Sequence, residues 1–227
     1  MDSLGKRAFV ITIDGPAGAG KSTVARLVAE KVGLPYLDTG AIYRAIAWWL
    51  DRRGISPAEG GAAASALADF SIRLDGDSVF VCGENVSSEI RTPEVDKIVS
   101  PYAALKTIRD LLLKFQRDQS VNGLVADGRD MGTVVFPEAE LKIFLTASAE
   151  ERAARRCRER SLRGEDVCYD DVLAAVNERD RYDINREVAP LRPALGCVIL
   201  DSTGMSAEEV AGVIASLASE FEAQNKR

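Results

Sequence analysis

The chain has 227 residues, a formal net charge of −6, 46% apolar and 28% charged residues, which is the balance of one ordinary globular domain without the broad basic face of a general nucleic-acid binder. It contains no histidine, which excludes Ser-His-Asp and Cys-His catalysis, and its four cysteines (Cys82, Cys157, Cys168 and Cys197) form no CxxC pair, which excludes a Cys/His zinc motif and leaves them as reduced thiols. No apolar run reaches the roughly 18 residues of a membrane span, and the short apolar stretch near the start runs straight into a Gly-rich motif instead of a cleavage site, so the expected location is cytoplasmic.

Phe9 to Ile13 is a short apolar run ending at Asp14 and Gly15, the pattern of a buried strand. A turn-rich loop follows to Gly20. From Lys21 the apolar positions Val24, Ala25, Leu27, Val28 and Val32 recur at helical spacing, and Gly33 supplies the stop. Leu34 to Leu37 begins a second strand, and Ala41 to Arg53 reads as a helix carrying Ile42, Ile46, Trp48, Trp49 and Leu50. Ser56 and Pro57 have the form of a cap and first-turn proline for a helix from 57 to 70. Between Phe70 and Val86 the period changes to two, around Asp75, Gly76 and Asp77, which predicts an antiparallel hairpin inserted into an otherwise alternating β/α chain.

Thr92 to about Val99 and Leu105 to Ser120 read as helices, Leu124 to Ala126 and Leu141 to Leu145 as strands. Ser148 with Glu151 forms a capping box that opens a very basic helix. Cys197 to Leu200 is the last strand, and a second capping box at Ser206 and Glu209 opens a C-terminal helix to about Ala223. The alternation predicts an α/β fold of three layers: a central parallel sheet covered by helices, plus a small antiparallel insertion. No internal repeat is present.

Gly15, Pro16, Ala17, Gly18, Ala19, Gly20, Lys21 and Ser22 fit G-x-x-x-x-G-K-[ST] between a strand and a helix. In that context backbone amides turn inward on phosphates, Lys21 reaches the outer phosphates and Ser22 can ligate Mg²⁺. The motif specifies a nucleoside triphosphate and leaves kinase, GTPase and ATPase open. Phosphoryl transfer needs positioning and cancellation of negative charge, so the arginines matter next.

Arg152, Arg155 and Arg156 share a face of the basic helix, which also carries Arg158, Arg160 and Arg163. The segment reads either as a lid over a triphosphate or as a solvated basic face with Glu150, Glu151 and Glu159. Arg179, Asp183 and Arg186 stand at i, i+4 and i+7, and by spacing alone they make a surface salt-bridge ladder. Asp38, Thr39 and Arg44 follow one strand end, and Asp127, Arg129 and Asp130 another, where ligands bind in such sheets.

Five ordered segments resemble the bacterial cytidylate kinases, members of the P-loop nucleoside monophosphate kinases: ITIDGPAGAGKST at 11–23, LDTGAIYR at 37–44, VSSEIRT at 86–92, ADGRDMGTVVFP at 126–137, and ERD at 178–180 through NR at 185–186 to APLRP at 189–193. The resemblance spans nearly the whole chain, and its 126–137 stretch is the most specific part. It implies a single kinase domain with a P-loop at 15–23, an acceptor-binding insertion at about 40–105 and a lid at about 152–185. The implied reaction is transfer of the γ-phosphoryl group of ATP to CMP or dCMP with Mg²⁺, by a monomer that binds small molecules, with no role for nucleic acid or membrane.

By residue, the resemblance implies that residues 15–23, including Thr23, hold ATP together with lid arginines Arg155, Arg156 and Arg158. Arg44, Arg129 and Arg186 hold the acceptor phosphate, with Thr39 beside Arg44. Ser100, Arg109 and Asp130 read the cytosine, where a carboxylate can accept from the N4 amino group that uracil lacks. Arg179 and Asp183 hold the sugar, which replaces the surface-ladder reading of their row. Lys21, Arg129 and Arg186 carry catalysis, and Ser22, with Asp127 through water, serves Mg²⁺. Asp14 receives no role.

Overall fold

The computed structural model describes residues 9–58 and 61–225. The reading of the extreme N-terminus therefore lies outside the described residues. The chain divides into two compact units, one built from residues up to Leu37 together with Arg117–Arg227, the other from Asp38–Gln116.

The first unit is built on a five-stranded sheet. Its strands are β1 (Val10–Asp14), β2 (Tyr36–Asp38), β6 (Leu124–Gly128), β7 (Leu141–Thr146) and β8 (Val198–Asp201), in the spatial order β2-β6-β1-β7-β8. β1 runs parallel to both β6 and β7, and β7 runs parallel to β8. All five residues of β1 are buried, as a central strand covered on both faces requires. The flanking helices are α1 (Lys21–Val32), α6 (Ala149–Leu162), α7 (Tyr169–Asn185) and α8 (Ala207–Asn225).

The main core joins Ile11, Ile13, Val125, Leu141, Ile143 and Leu145 of the sheet to Val24 and Val28 of α1 and Val210 and Ile214 of α8. Each such side chain contributes about 1.5–3 kcal/mol on full burial. α1 stops where expected: Gly33 adopts φ 69°, and its N–H donates to the Ala29 carbonyl. The capping box at Ser206 and Glu209 forms, while the one at Ser148 and Glu151 forms only by half, since the Ser148 amide donates to Thr203 Oγ1 at 3.0 Å and not to Glu151. Ser148 Oγ accepts from the Glu151 amide at 3.1 Å, while Ser206 and Glu209 cap each other's amides. A smaller apolar cluster of Ala153, Val172 and Val176 joins α6 to α7.

The second unit contains α2 (Thr39–Asp51), α3 (Gly61–Leu67), α4 (Pro93–Ala104), α5 (Lys106–Asp118, whose last residues cross into the first unit) and an antiparallel sheet. That sheet has the order β3-β4-β5, from Ile72–Asp75, Ser78–Val81 and Glu84–Asn85. The insertion is thus three strands, one more than the period-two run suggests. Trp49 packs edge-on against Phe70 with ring centroids 5.3 Å apart.

The expected helix over 57–70 needs correction. Ser56 and Pro57 do not open it, and α3 covers only Gly61–Leu67. Adjacent Gly60 and Gly61 make helix entry costly, and the alanine-rich stretch buries only Ala63 and Leu67. Residues 59–60 of that stretch lie outside the described set. Among the described residues, no helix is long and apolar enough to cross a membrane.

Candidate active site

In the first unit the phosphate loop leaves β1 at Gly15 and enters α1 at Lys21. A Cβ at Gly15 would stand 2.0 Å from the Leu145 carbonyl oxygen, so only glycine lets the loop cross the end of β7 here. Gly18, at φ 76°, packs against Arg152, with no room for a side chain to be added without displacing that residue's Cβ and backbone.

Lys21 is buried, and its Nζ donates to the Pro16 carbonyl at 2.8 Å. Burial drives its ammonium pKa well below the ordinary lysine range. The charges of Arg129 and Arg179 push the same way, against Asp127 and Asp183. A lysine held at such electrostatic cost among arginines suits a site built for a polyanion.

Ser22 Oγ donates to Asp127 Oδ2 at 2.9 Å, and the Tyr36 hydroxyl donates to Asp127 Oδ1 at 2.8 Å. These groups are hard oxygens, the donor type that Mg²⁺ takes. Among the described residues no group of three or more Asp, Glu, His or Cys could cage a metal. The donor set fits an ion that keeps waters and substrate oxygens as ligands, with Ser22 and Asp127 at its protein side.

Asp183, 2% exposed, lies at the centre of the arginine set. It accepts from Arg129 Nε at 2.9 Å, and Arg186 Nη1 stands 4.0 Å from its other oxygen. Burial would raise its pKa, yet the guanidinium groups of Arg129, Arg179 and Arg186 outweigh that and hold the carboxyl below its usual range. Arg186 is further fixed by donating to the Ala189 carbonyl at 2.6 Å. In the Arg179, Asp183, Arg186 row, Asp183 and the Arg186 side chain are buried and Arg179 is half-buried, so the surface-ladder alternative fails on burial.

Asp130, beside Arg129, is 1% exposed, and the next residues form a π-helical turn, Met131–Val135. Asp14, 3% exposed, accepts from the amides of Met131 at 2.8 Å and Gly132 at 2.7 Å. Burial pushes its carboxyl up to about 7 against the pull of those two amides, and Asp130 adds to the rise.

The basic helix α6 divides by residue. Arg152 is buried, pairs with Asp180 at 2.6 Å and donates to the carbonyls of Ala147 and Ala17. Arg155 pairs with Glu151 and donates to Ser202 Oγ at 3.1 Å and to the Ser202 carbonyl at 2.7 Å, with a longer 3.4 Å contact to Ala19 O. Arg156 is half-buried, while Arg158 is exposed and 3.7 Å from Glu151.

In the second unit, Asp38 caps α2 by accepting from the Ala41 amide at 2.8 Å, and Arg91 approaches it at 3.5 Å. Thr39 is buried in the first turn of α2. Arg44 pairs with Asp96 at 3.1 Å, and its guanidinium occupies the space that a Cβ on Gly40 would fill. Ser100, on α4, is half-buried. Arg109 is buried on α5, donates to the Ala103 carbonyl at 2.9 Å and lies 5.3 Å over the Tyr43 ring.

The first unit thus gathers Lys21, Ser22, Asp127, Arg129, Arg179, Asp183 and Arg186, and the second holds Thr39, Arg44, Ser100 and Arg109. Sequence reading missed three contributors: Tyr36 on Asp127, Asp180 on Arg152, and Asp14 on the turn after Asp130. Only Asp14, a carboxylate closing an apolar strand, carried a local signal.

A sequence model described as cytidylate kinase matches residues 11–220. A protein named cytidylate kinase from Geobacter sulfurreducens is 43% identical over 227 residues, covering 98% of this chain and 97% of its own length. One of the same name from Aliivibrio salmonicida is 50% identical over 206 residues, covering 88% and 92%. Among solved structures, an uncharacterized protein from Eubacterium ventriosum is similar in fold, with TM-score 0.55 and 10% identity over 94% of this chain and 99% of that one.

Proposed function

Because the chain belongs to the cytidylate kinase family of nucleoside monophosphate kinases, we propose that it transfers the γ-phosphoryl group of ATP directly to the phosphate of CMP or dCMP, with no phosphoenzyme. An oxygen of the acceptor phosphate forms the new bond to Pγ as the bond from Pγ to the β,γ-bridging oxygen breaks, giving ADP and CDP or dCDP. The observation that carries this reading is the cluster of Arg129 and Arg186 around buried Asp183, of which Arg129 and Asp183 act electrostatically on buried Lys21. Two polyanions that must approach each other demand such a density of fixed cations.

In this reading the loop amides of residues 15–20 and Lys21 hold the triphosphate, with Thr23 and the α6 arginines Arg155, Arg156 and Arg158 completing the ATP site. Bound at Ser22, with Asp127 acting through water, Mg²⁺ would neutralise charge on the transferring phosphates. Arg44, Arg129 and Arg186 aim the acceptor phosphate, Thr39 supports Arg44, Arg179 and Asp183 hold the sugar, and Ser100, Arg109 and Asp130 read the base. Asp183 fixes Arg129 before substrate arrives, so little reorganisation remains for the transfer step. The two units act as one kinase domain, with the lid at about 152–185 excluding water from the transferred group. The protein works as a cytoplasmic monomer on small molecules.

The test is ADP production from Mg-ATP with CMP, dCMP, UMP, AMP, GMP or no acceptor. Strong turnover with CMP and dCMP and little without acceptor is expected. Equal turnover without acceptor would make the protein an NTPase and remove the acceptor assignments.

A further inference from the structure

We propose that Asp14 is a positioning residue for acceptor recognition: from the end of β1 its carboxylate clamps the two amides that follow Asp130, fixing the Arg129–Asp130 pair and relieving Asp130 of capping its own turn. The proposal rests on the reading above that Asp130 reads the base.

The argument starts from the turn at Met131–Val135. The first amides of any helical turn have no partner within it, and an aspartate just before the turn is the residue that ordinarily caps them. Asp130 occupies that position, with φ −146° and ψ 23°, yet its side chain makes no capping hydrogen bond. The cap comes from Asp14, 117 residues earlier in sequence for Met131 and 118 for Gly132. Both of its oxygens are used, Oδ1 by Met131 at 2.8 Å and Oδ2 by Gly132 at 2.7 Å. A carboxylate bound this way fixes two consecutive peptide planes, not one contact.

The clamp extends the strand pairing. Asp14 is the register partner of Gly128, so Arg129 and Asp130 lie between the last rung of β1–β6 and the clamp. They are tied at both ends to the strand that launches the phosphate loop. Gly132 is needed for the close approach: a Cβ there would stand 3.0 Å from Thr12 Oγ1, 3.2 Å from Ala194 Cβ and 3.4 Å from Asp14 Oδ2. With capping supplied from β1, the Asp130 carboxylate makes no capping hydrogen bond to its own turn.

The experiment compares Asp14→Asn, Gly132→Ala and Asp130→Ala with the unmodified protein, measuring kcat and KM for CMP, UMP and ATP separately. Asparagine accepts one amide and turns an N–H on the other. Expected for Asp14→Asn is a rise of about tenfold in KM for CMP, a fall in preference for CMP over UMP, and an ATP KM within about twofold of unchanged, as for misplacement of a recognition group by a distant change. Should Asp14→Asn fail to fold, Gly132→Ala strains the same clamp from the other side and is expected to give the same split. An equal rise in both KM values, or no change in either, overturns the proposal. If Asp130→Ala lowers CMP preference while the clamp variants do not, the positioning role falls and the base-reading role stands. If Asp130→Ala leaves preference unchanged, the base-reading assignment falls, and this inference with it.

Discussion

Arg152 pairs with Asp180 at 2.6 Å while its remaining nitrogens donate to Ala147 and to Ala17 of the phosphate loop. One buried guanidinium therefore ties α6, α7 and the loop tip together, using three directed donors that no other side chain supplies. Removing one partner of a buried pair strands the other charge, at about 3–5 kcal/mol. Arg152→Ala should lower the unfolding free energy by that amount, read as a fall in the urea midpoint at unchanged slope. Arg152→Lys should recover part of the stability but raise KM for ATP, because an ammonium cannot satisfy Asp180, Ala147 and Ala17 at once. Wild-type urea midpoint and ATP KM in both variants would show the contacts to be inert.

The Tyr36 hydroxyl orients Asp127, which also accepts from Ser22. Groups that orient a metal-associated carboxylate commonly change metal affinity by about 10–100-fold when removed. Tyr36→Phe should raise the Mg²⁺ concentration for half-maximal activity by about tenfold, with kcat at saturating Mg²⁺ within about twofold of the parent. A superimposable Mg²⁺ titration curve would exclude this role for Tyr36.

What was legible in the sequence follows from the range of the interactions. α1 could be read end to end because the signals that bound it, Gly20 before Lys21 and Gly33 after Val32, are local. The β3–β4 hairpin could be read for the same reason, since Asp75 and Gly76 sit inside a period-two run. The helix after Ser56 could not, because its cap signal was local while the burial needed to support a long helix was missing. Spacing placed Arg179, Asp183 and Arg186 in one row but could not tell a solvated ladder from a cluster around a buried carboxylate, since burial depends on Arg129, 54 residues from Asp183 in sequence. The partners of Tyr36 and Arg152 are likewise distant, at 91 residues to Asp127 and 135 to Ala17. For Arg179, Asp183 and Arg186 the expected roles came from the family resemblance, not from periodicity.

Asp14 and Asp183 carry opposite pH linkage. The native pKa of Asp14, about 7, lies above the ordinary 3.8, so the folded state holds its proton more tightly than the unfolded chain. Stability tied to that proton is fully present below about pH 4 and lost as pH rises through about 7, a change on the order of 4 kcal/mol. Asp183 is shifted downward, so its contribution is present above 3.8 and lost as pH falls through its lower native value. Urea unfolding of the parent and Asp14→Asn between about pH 5 and 8 should show the variant gaining relative stability as pH rises. Parallel profiles would remove Asp14 as the titrating group.

Lys21 is the clearest case in which stability and activity oppose each other. Its ammonium is buried, satisfied in part by the Pro16 carbonyl, and repelled by Arg129 and Arg179. A methionine of similar length removes the desolvated charge and retains most of the packing. Lys21→Met should therefore melt at a higher temperature than the parent in the absence of nucleotide. In the proposed transfer the same change would remove a cation from the phosphates as their charge shifts, and loss of one such electrostatic contact costs roughly 10²–10³ in kcat. Calorimetric melting and steady-state turnover on one preparation decide the matter. A lower melting temperature would mean that the Pro16 contact outweighs the burial cost. Retained turnover would remove Lys21 from the transfer step.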